Sequence, residues 1–336
     1  MPRKRYTVVL IESMYHRAGE DLLREQADVR VLTGATPEMI REAVGTAAAA
    51  WVRYPTRLGG EAIRNGPGLL VISTSGRGTD AIDIDAATER GIAVVNNPGL
   101  GAVPVSEHAV ALMLDLAKQI TRSDARSRQH DAWAARNRSP RIELEGHALG
   151  LIGLGSIGSE VARKCIAAFR MRVLAYDPYV PAAKAEAMGV RWVKNLADVL
   201  READVVSVHA ELNDETRGMI GEPELRLMRR EAFLVNTARG PIVQQPALVR
   251  ALREGWIRGA AIDVFDPEPP PPGGPLFELD NLIITPHVAG LTIEAVRALA
   301  VSAATQILQV LRGERPPHLL NSQVWERVTR RLGGDG

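Results

Sequence analysis

The stretch Gly150-Leu-Ile-Gly153-Leu-Gly155-Ser156-Ile157-Gly158 constrains the fold more than any other, because its glycines fall where a buried apolar run must turn sharply into a helix. Ala148 to Ile152 reads as a strand, Ile157 to Phe169 as an amphipathic helix, and Arg172 to Tyr176 as a second strand that delivers Asp177 at its carboxyl end. Three glycines in this spacing, followed about twenty residues later by an acidic residue, form a dinucleotide-binding fingerprint. Gly153 allows the tight turn, Gly155 lets backbone amides approach a pyrophosphate, and Gly158 lets the helix pack closely on the strand. Ser156 and Ile157 then offer amides at the helix start. The same glycines also suit an ordinary strand-turn-helix of any parallel sheet, so the surrounding pattern carries the reading. A carboxylate at Asp177 accepts hydrogen bonds from a ribose diol and repels an adenosine phosphate. Pro178 and Tyr179 supply no cation to neutralise such a phosphate, so NAD is expected rather than NADP.

With 336 residues, 46% of them hydrophobic, the chain is long enough for two domains with separate cores. Short apolar runs alternate with helical stretches throughout. Thr7 to Ile11, Val29 to Leu32, Ala49 to Val52, Leu69 to Ser73 and Ala93 to Asn96 read as one open parallel sheet. A second sheet continues from the fingerprint through Val205 to Val208, Ala232 to Val235, Ala260 to Val264 and Leu282 to Ile284. The fold class is therefore α/β, with two doubly wound parallel sheets. Val103 to Gln119 reads as a long helix, and a last helix from roughly Thr292 to Arg312 returns to the first domain, which makes that domain discontinuous.

A formal net charge of +1 leaves no concentrated basic face for nucleic acid, and Arg3-Lys4-Arg5 reads as a solvated terminus. No signal peptide is visible and no apolar run approaches the length a bilayer requires, so a cytoplasmic location without membrane attachment is expected. The single cysteine, Cys165, aligns with Ile157 and Val161 and is assigned to core packing. His16, His130, His147 and His318 are expected to face solvent, His108 to pack or cap on its helix, and His209, at a strand end, is intermediate.

Three further constellations follow apolar strands, where open parallel sheets place their ligands. In Asn236-Thr237-Ala238-Arg239-Gly240, a planar guanidinium at Arg239 can clamp a carboxylate through two parallel hydrogen bonds, or form a surface ion pair. In Asp263-Val-Phe-Asp266-Pro-Glu268-Pro269, flanking prolines restrict Glu268, which suits a residue that orients another side chain and equally a solvated loop carboxylate. In Thr285-Pro286-His287-Val-Ala-Gly290, His287 is a candidate acid or base, and a carboxylate such as Glu268 beside it would keep a proton available for donation.

The fingerprint and the ordered Arg239, Glu268 and His287 resemble the D-isomer-specific 2-hydroxyacid dehydrogenase family. So do Gly76-Arg77-Gly78-Thr-Asp80-Ala-Ile-Asp83, the run Ala86 to Gly99, Ser207-Val-His209 and Glu215-Thr216-Arg217-Gly218. The resemblance implies a substrate domain of residues 1–103 and 290–336 and an inserted NAD-binding Rossmann domain of residues 104–289, closing over a cleft. It implies that Arg239 anchors a 2-keto acid carboxylate, that His287 protonates the carbonyl oxygen as hydride arrives, and that Glu268 tunes His287. Amides around Gly76 to Gly78 are expected to help hold the carboxylate, and Asp263 to lie near the nicotinamide amide. His209, Thr216, Thr237, Ala238 and Gly290 are further expected around the cofactor. A homodimer built through the NAD domains is also implied, with the helix Val103 to Gln119 at the contact.

Glu211 departs from the family pattern, which commonly has proline two residues after the histidine, as do His147 in place of a common lysine and Ala102 in place of a small polar residue. Arg77 is bulky within its glycine-rich loop and, with Arg53 at the end of Ala49 to Val52, could receive a distal phosphate or second carboxylate. Ion pairs of both arginines with Asp80 or Asp83 are the competing expectation. The chain ends shortly after its last helix, so no regulatory domain is expected. A corepressor that senses NAD, or a phosphite-type dehydrogenase on the same fold, are the alternatives to a 2-hydroxyacid dehydrogenase. Formate oxidation is disfavoured because Glu268 stands where formate dehydrogenases use glutamine.

Overall fold

The computed structural model describes residues 5–333 apart from 130–132, 134, 135 and 137–139, so Arg3, Lys4 and His130 lie outside the described residues. The chain divides into two compact units, Met1–Gly101 with Leu291–Gly336, and Ala102–Gly290. The second unit begins two residues before, and ends one residue after, the segment 104–289 that the resemblance implies.

In the first unit, β1 (Thr7–Ile11), β2 (Asp28–Leu32), β3 (Ala49–Val52), β4 (Val71–Thr74) and β5 (Ala93–Val95) form a parallel sheet in the order β2-β1-β3-β4-β5. Alternate side chains face opposite cores, as the pleat requires. Val8, Leu10 and Trp51 pack with Leu23, Ala303 and Ile307, whereas Val9, Ile11, Ala50 and Val52 pack with Ile40, Val44 and Ile63. Burial on both faces is why β1 and β3 read as unbroken apolar runs. Ala303 and Ile307 lie on the helix Ile293–Leu311. That helix is long and apolar enough to cross a membrane by length and composition, which corrects the expectation that no such run exists. Ala300, Ala303, Ala304, Ile307, Leu308, Val310 and Leu311 are buried in this unit's core. His16 is not merely solvent-facing: its Nδ1 accepts the Ala18 amide at 3.1 Å and caps the helix Arg17–Arg24.

In the second unit, β6 (Ala148–Ile152), β7 (Arg172–Tyr176), β8 (Arg191–Trp192), β9 (Val205–Val208), β10 (Phe233–Asn236), β11 (Gly259–Ile262) and β12 (Leu282–Ile284) form a parallel sheet in the order β12-β11-β10-β9-β6-β7-β8. The chain leaves β6 toward β7 and later returns to β9 on the other side, so the topological switch point lies at the carboxyl ends of β6 and β9. The two-residue edge strand β8 carries too little pattern to be seen in sequence. Strand limits shift by a residue or two elsewhere, and β11 ends at Ile262. Cys165 is fully buried on the helix Ser156–Phe169, and burial pushes its thiol up to about 12.

Candidate active site

The parallel register aligns Tyr176, Ile152, Val208, Asn236, Ile262 and Ile284 in one row across the sheet. The residue immediately after each is Asp177, Gly153, His209, Thr237, Asp263 and Thr285. One end of the sheet therefore presents Asp177, His209, Thr237, Asp263 and Thr285 side by side.

At the switch point, Gly153 adopts a φ of +95°, and a Cβ there would lie 2.7 Å from the Ala210 amide nitrogen. A Cβ on Gly158 would lie 2.2 Å from the Gly153 carbonyl oxygen, closer than real atoms approach. Gly155 is the N-cap of the helix Ser156–Phe169 and has no side chain to satisfy the first-turn amides. Asp177 Oδ2 accepts the Leu154 amide at 2.8 Å and Oδ1 the Tyr179 amide at 2.9 Å, which ties the acidic residue to the glycine turn. Each oxygen retains a second lone pair for a diol.

Two buried polar atoms next to this cradle, His209 Nδ1 and Thr237 Oγ1, have no hydrogen-bond partner among the described residues. His209 Nε2 lies 2.9 Å from Ser207 Oγ, and burial pushes the imidazole down to about 4, so it is neutral near pH 7. An uncapped helix start after β6, a carboxylate after β7 on one side and unsatisfied buried polar atoms after β9 and β10 on the other fit NAD, which Gly153, Gly155, Ser156, Ile157, Gly158 and Asp177 would hold. Thr216 is engaged in its own turn, donating to the Glu211 carbonyl at 2.5 Å and accepting the Asn213 amide at 2.9 Å, so Glu211 is accommodated without proline.

Beyond β10, Asn236 shapes the loop: its Oδ1 accepts the Ala238 amide and its Nδ2 donates to the Arg239 carbonyl, both at 3.0 Å. This side-chain turn was visible in the Asn236-Thr237-Ala238 spacing and was missed. Arg239 Nη1 donates to the Ala238 carbonyl at 2.8 Å, and Gly240 passes so close to Phe265 that a Cβ would meet the Phe265 oxygen at 1.9 Å. The Arg239 loop is thereby fixed against the segment that leads to Glu268. The prolines that flank Glu268 each follow a cis peptide bond, Asp266-Pro267 and Glu268-Pro269. His287 Nδ1 is hydrogen-bonded to Glu268 Oε1. The Glu268 side chain is 11% exposed and that of His287 34%, so the pair combines a sheltered carboxylate with an approachable imidazole.

His287 has a φ of +54°, unusual for a residue with a side chain. Buried Asp263 explains how it is held. Its Oδ1 accepts the Thr285 hydroxyl at 2.6 Å and the Val288 amide at 2.9 Å, its Oδ2 accepts the Ala289 amide at 2.9 Å, and its carbonyl accepts the His287 amide at 2.8 Å. His108 Nε2 joins this group at 3.0 Å from Thr285 Oγ1.

In the first unit, Arg53 follows β3 and Gly76, Arg77 and Gly78 follow β4, two strands paired through Val52 and Thr74. Thr74 Oγ1 donates to the Gly78 carbonyl at 2.9 Å, Asn97 donates its amide to the Gly76 carbonyl at 2.9 Å, and Asn96 Nδ2 donates to the Arg77 carbonyl at 2.8 Å. The ion pairs expected of Arg53 are corrected: its Nη2 lies 3.9 Å from Glu12 and its guanidinium stands 4.9 Å from the Tyr15 ring centre. Asp83 instead caps the helix Ile84–Glu89 through the Ala86 amide.

Residues 110–289 match the model of the NAD-binding domain of D-isomer-specific 2-hydroxyacid dehydrogenases. The chain belongs to this family. A D-3-phosphoglycerate dehydrogenase of Methanocaldococcus jannaschii is 41% identical over 313 residues, 93% of this chain but 59% of that protein. A glyoxylate reductase of Aeropyrum pernix is 36% identical over 329 residues, 96% of this chain and 97% of that one. The holo form of Rhodotorula graminis D-mandelate dehydrogenase superposes with a TM-score of 0.85 at 27% identity, covering 95% of this chain and 98% of that chain. These 2-hydroxyacid dehydrogenase relatives differ in the acids they are named for, while the NAD-binding unit is common to the family.

Proposed function

We propose that the protein is an NAD-dependent D-2-hydroxyacid dehydrogenase that interconverts a small 2-keto acid and its 2-hydroxy acid. The observation that carries this reading is the His287–Glu268 hydrogen bond, held on the same sheet edge as the dinucleotide fingerprint and Arg239. When bound, NADH supplies the hydride. Arg239 anchors the substrate carboxylate in bidentate fashion, which orients the keto group. Because Nδ1 of His287 is bonded to Glu268, proton delivery to the carbonyl oxygen falls to Nε2. Glu268 steadies the imidazolium before that transfer, and in the reverse direction His287 takes the hydroxyl proton.

Arg53 and Arg77 are proposed to receive a second negative charge of the substrate. Support comes from Arg53 Nε, a buried donor with no hydrogen-bond partner among the described residues, and from the phosphoglycerate dehydrogenase named above. Amides of Gly76 to Gly78 are proposed to assist in holding the carboxylate, as are His209, Thr237, Ala238, Asp263 and Gly290 in holding the cofactor. Thr216 is proposed to act there only through the turn it shapes. We also place the protein in the cytoplasm as a homodimer formed through the NAD-binding unit, without nucleic-acid or membrane partners. A solution mass equal to one chain would refute the dimer.

The test is NADH oxidation, with NADPH in parallel, against glyoxylate, hydroxypyruvate, pyruvate, oxaloacetate, 2-ketoglutarate and phosphohydroxypyruvate, with His287→Ala as control. Turnover with NADH that vanishes in the variant supports the reading, and Arg77→Ala should then lose any preference for phosphorylated substrate. Absence of turnover on the whole panel while NADH still binds overturns it.

A further inference from the structure

Behind His287, three side chains form a relay whose proton positions follow from their inventory. Asp263 as a carboxylate only accepts, so the single Thr285 hydroxyl proton is donated to Oδ1, at 2.6 Å. The Thr285 oxygen must then accept at its 3.0 Å contact with His108, which makes His108 Nε2 the donor. The imidazole of His108 is 3.7 Å from the same Asp263 oxygen. It comes from the helix Ala102–Lys118, far in sequence from β11 and β12. Asp263 in turn binds the Val288 and Ala289 amides, the two residues that follow the left-handed His287.

We propose that His108 is a positioning residue for the proton-transfer step: by donating from Nε2 it fixes the Thr285 hydroxyl on Asp263, and Asp263 so fixed holds the turn that aims His287. This inference rests on the dehydrogenase reading for its kinetic consequence, but its structural part stands apart from it. Without the His108 donor, the hydroxyl is released to rotate, Asp263 loses a charge-assisted bond, and the turn after His287 samples other conformations.

Nitrogen-15 NMR of imidazole-labelled protein reads the first step directly: His108 protonated at Nε2 is expected, and a ring protonated only at Nδ1 would overturn the proposal. Amide hydrogen exchange reads the second. In His108→Phe, exchange at Val288 and Ala289 should quicken about tenfold, the usual consequence of losing one hydrogen bond, while Ala261 in β11 keeps its rate. Thr285→Val should reproduce the effect, and Thr285→Ser, which keeps the hydroxyl, should exchange at the wild-type rate. Unchanged exchange at both amides in a folded His108→Phe protein would also overturn the proposal. In turnover, kcat should fall about tenfold with KM for NADH little altered. A wild-type protein inactive on every keto acid would refute the dehydrogenase reading and leave the NMR and exchange results to decide the relay.

Discussion

Two turns at the same sheet edge solve one geometric problem in opposite ways. After β6 the chain enters the left-handed region at Gly153, and after β12 it does so at His287. The first turn must have no side chain, because the backbone of His209 and Ala210 lies where a Cβ would go. The second must have one, because the side chain is the acid of the proposed reaction. A left-handed residue with a Cβ costs about 1 to 2 kcal/mol relative to glycine, and the second turn offsets this with the hydrogen bonds gathered by Asp263. Backbone freedom makes a cofactor cradle, whereas a braced and unfavourable backbone aims the side chain proposed as the acid.

The largest effect that tests this contrast is chemical. Asparagine tolerates left-handed backbone, so His287→Asn should keep the fold and lose about 10² to 10⁴ in kcat. Comparable loss of thermal stability in that variant would show that the side chain, and not Asp263, maintains the turn. Next is Gly158→Ala, whose methyl would sit on the Gly153 carbonyl. We expect a stability loss of about 2 to 3 kcal/mol by denaturant titration and NADH binding at least about tenfold weaker by fluorescence.

His209, between the two turns, supplies a pH effect of similar size. Its folded value of about 4 lies below the ordinary 6.5, so between these values the unfolded chain binds a proton that the folded one refuses. Stability of the cofactor-free protein should therefore be constant above pH 6.5 and fall as pH drops toward 4, by up to about 3 kcal/mol. His209→Asn should flatten that acid limb in melts across the range. The smallest effect concerns Arg170, a left-handed residue (φ +51°) at the end of the helix Ser156–Phe169 whose ion-pair partner, Glu145, is exposed. Arg170→Gly should stabilise by about 0.5 kcal/mol.

What sequence disclosed follows the same division. Glycines forced by close backbone approach leave a fixed spacing, and a polar residue ending an apolar strand stands out, so the cradle, Asp177, Arg239 and His287 were legible. Glu268 was legible through its prolines. His108 and Thr285 were not, because their meaning arises only when helix Ala102–Lys118 meets β12, across 177 positions. His16 escaped notice as a cap since histidine seldom plays that part, and Arg53 was given the wrong carboxylate because Glu12 is brought near it only by the pairing of β1 with β3.

The discontinuity of the first unit has a consequence during synthesis. Strands β1 to β5 leave the ribosome early, yet the helix Ile293–Leu311 that covers Val8, Leu10 and Trp51 is made only after residues 102–290 have emerged. At ordinary elongation rates that interval is roughly 10 to 40 seconds. The later-encoded NAD-binding unit, contiguous in the chain, can complete its core first, while the earlier-encoded sheet waits with one apolar face uncovered. A nascent chain of this protein is most vulnerable to aggregation and to chaperone capture in that window, and a stop codon just after Gly290 would release an intact NAD-binding unit tethered to an unfinished one.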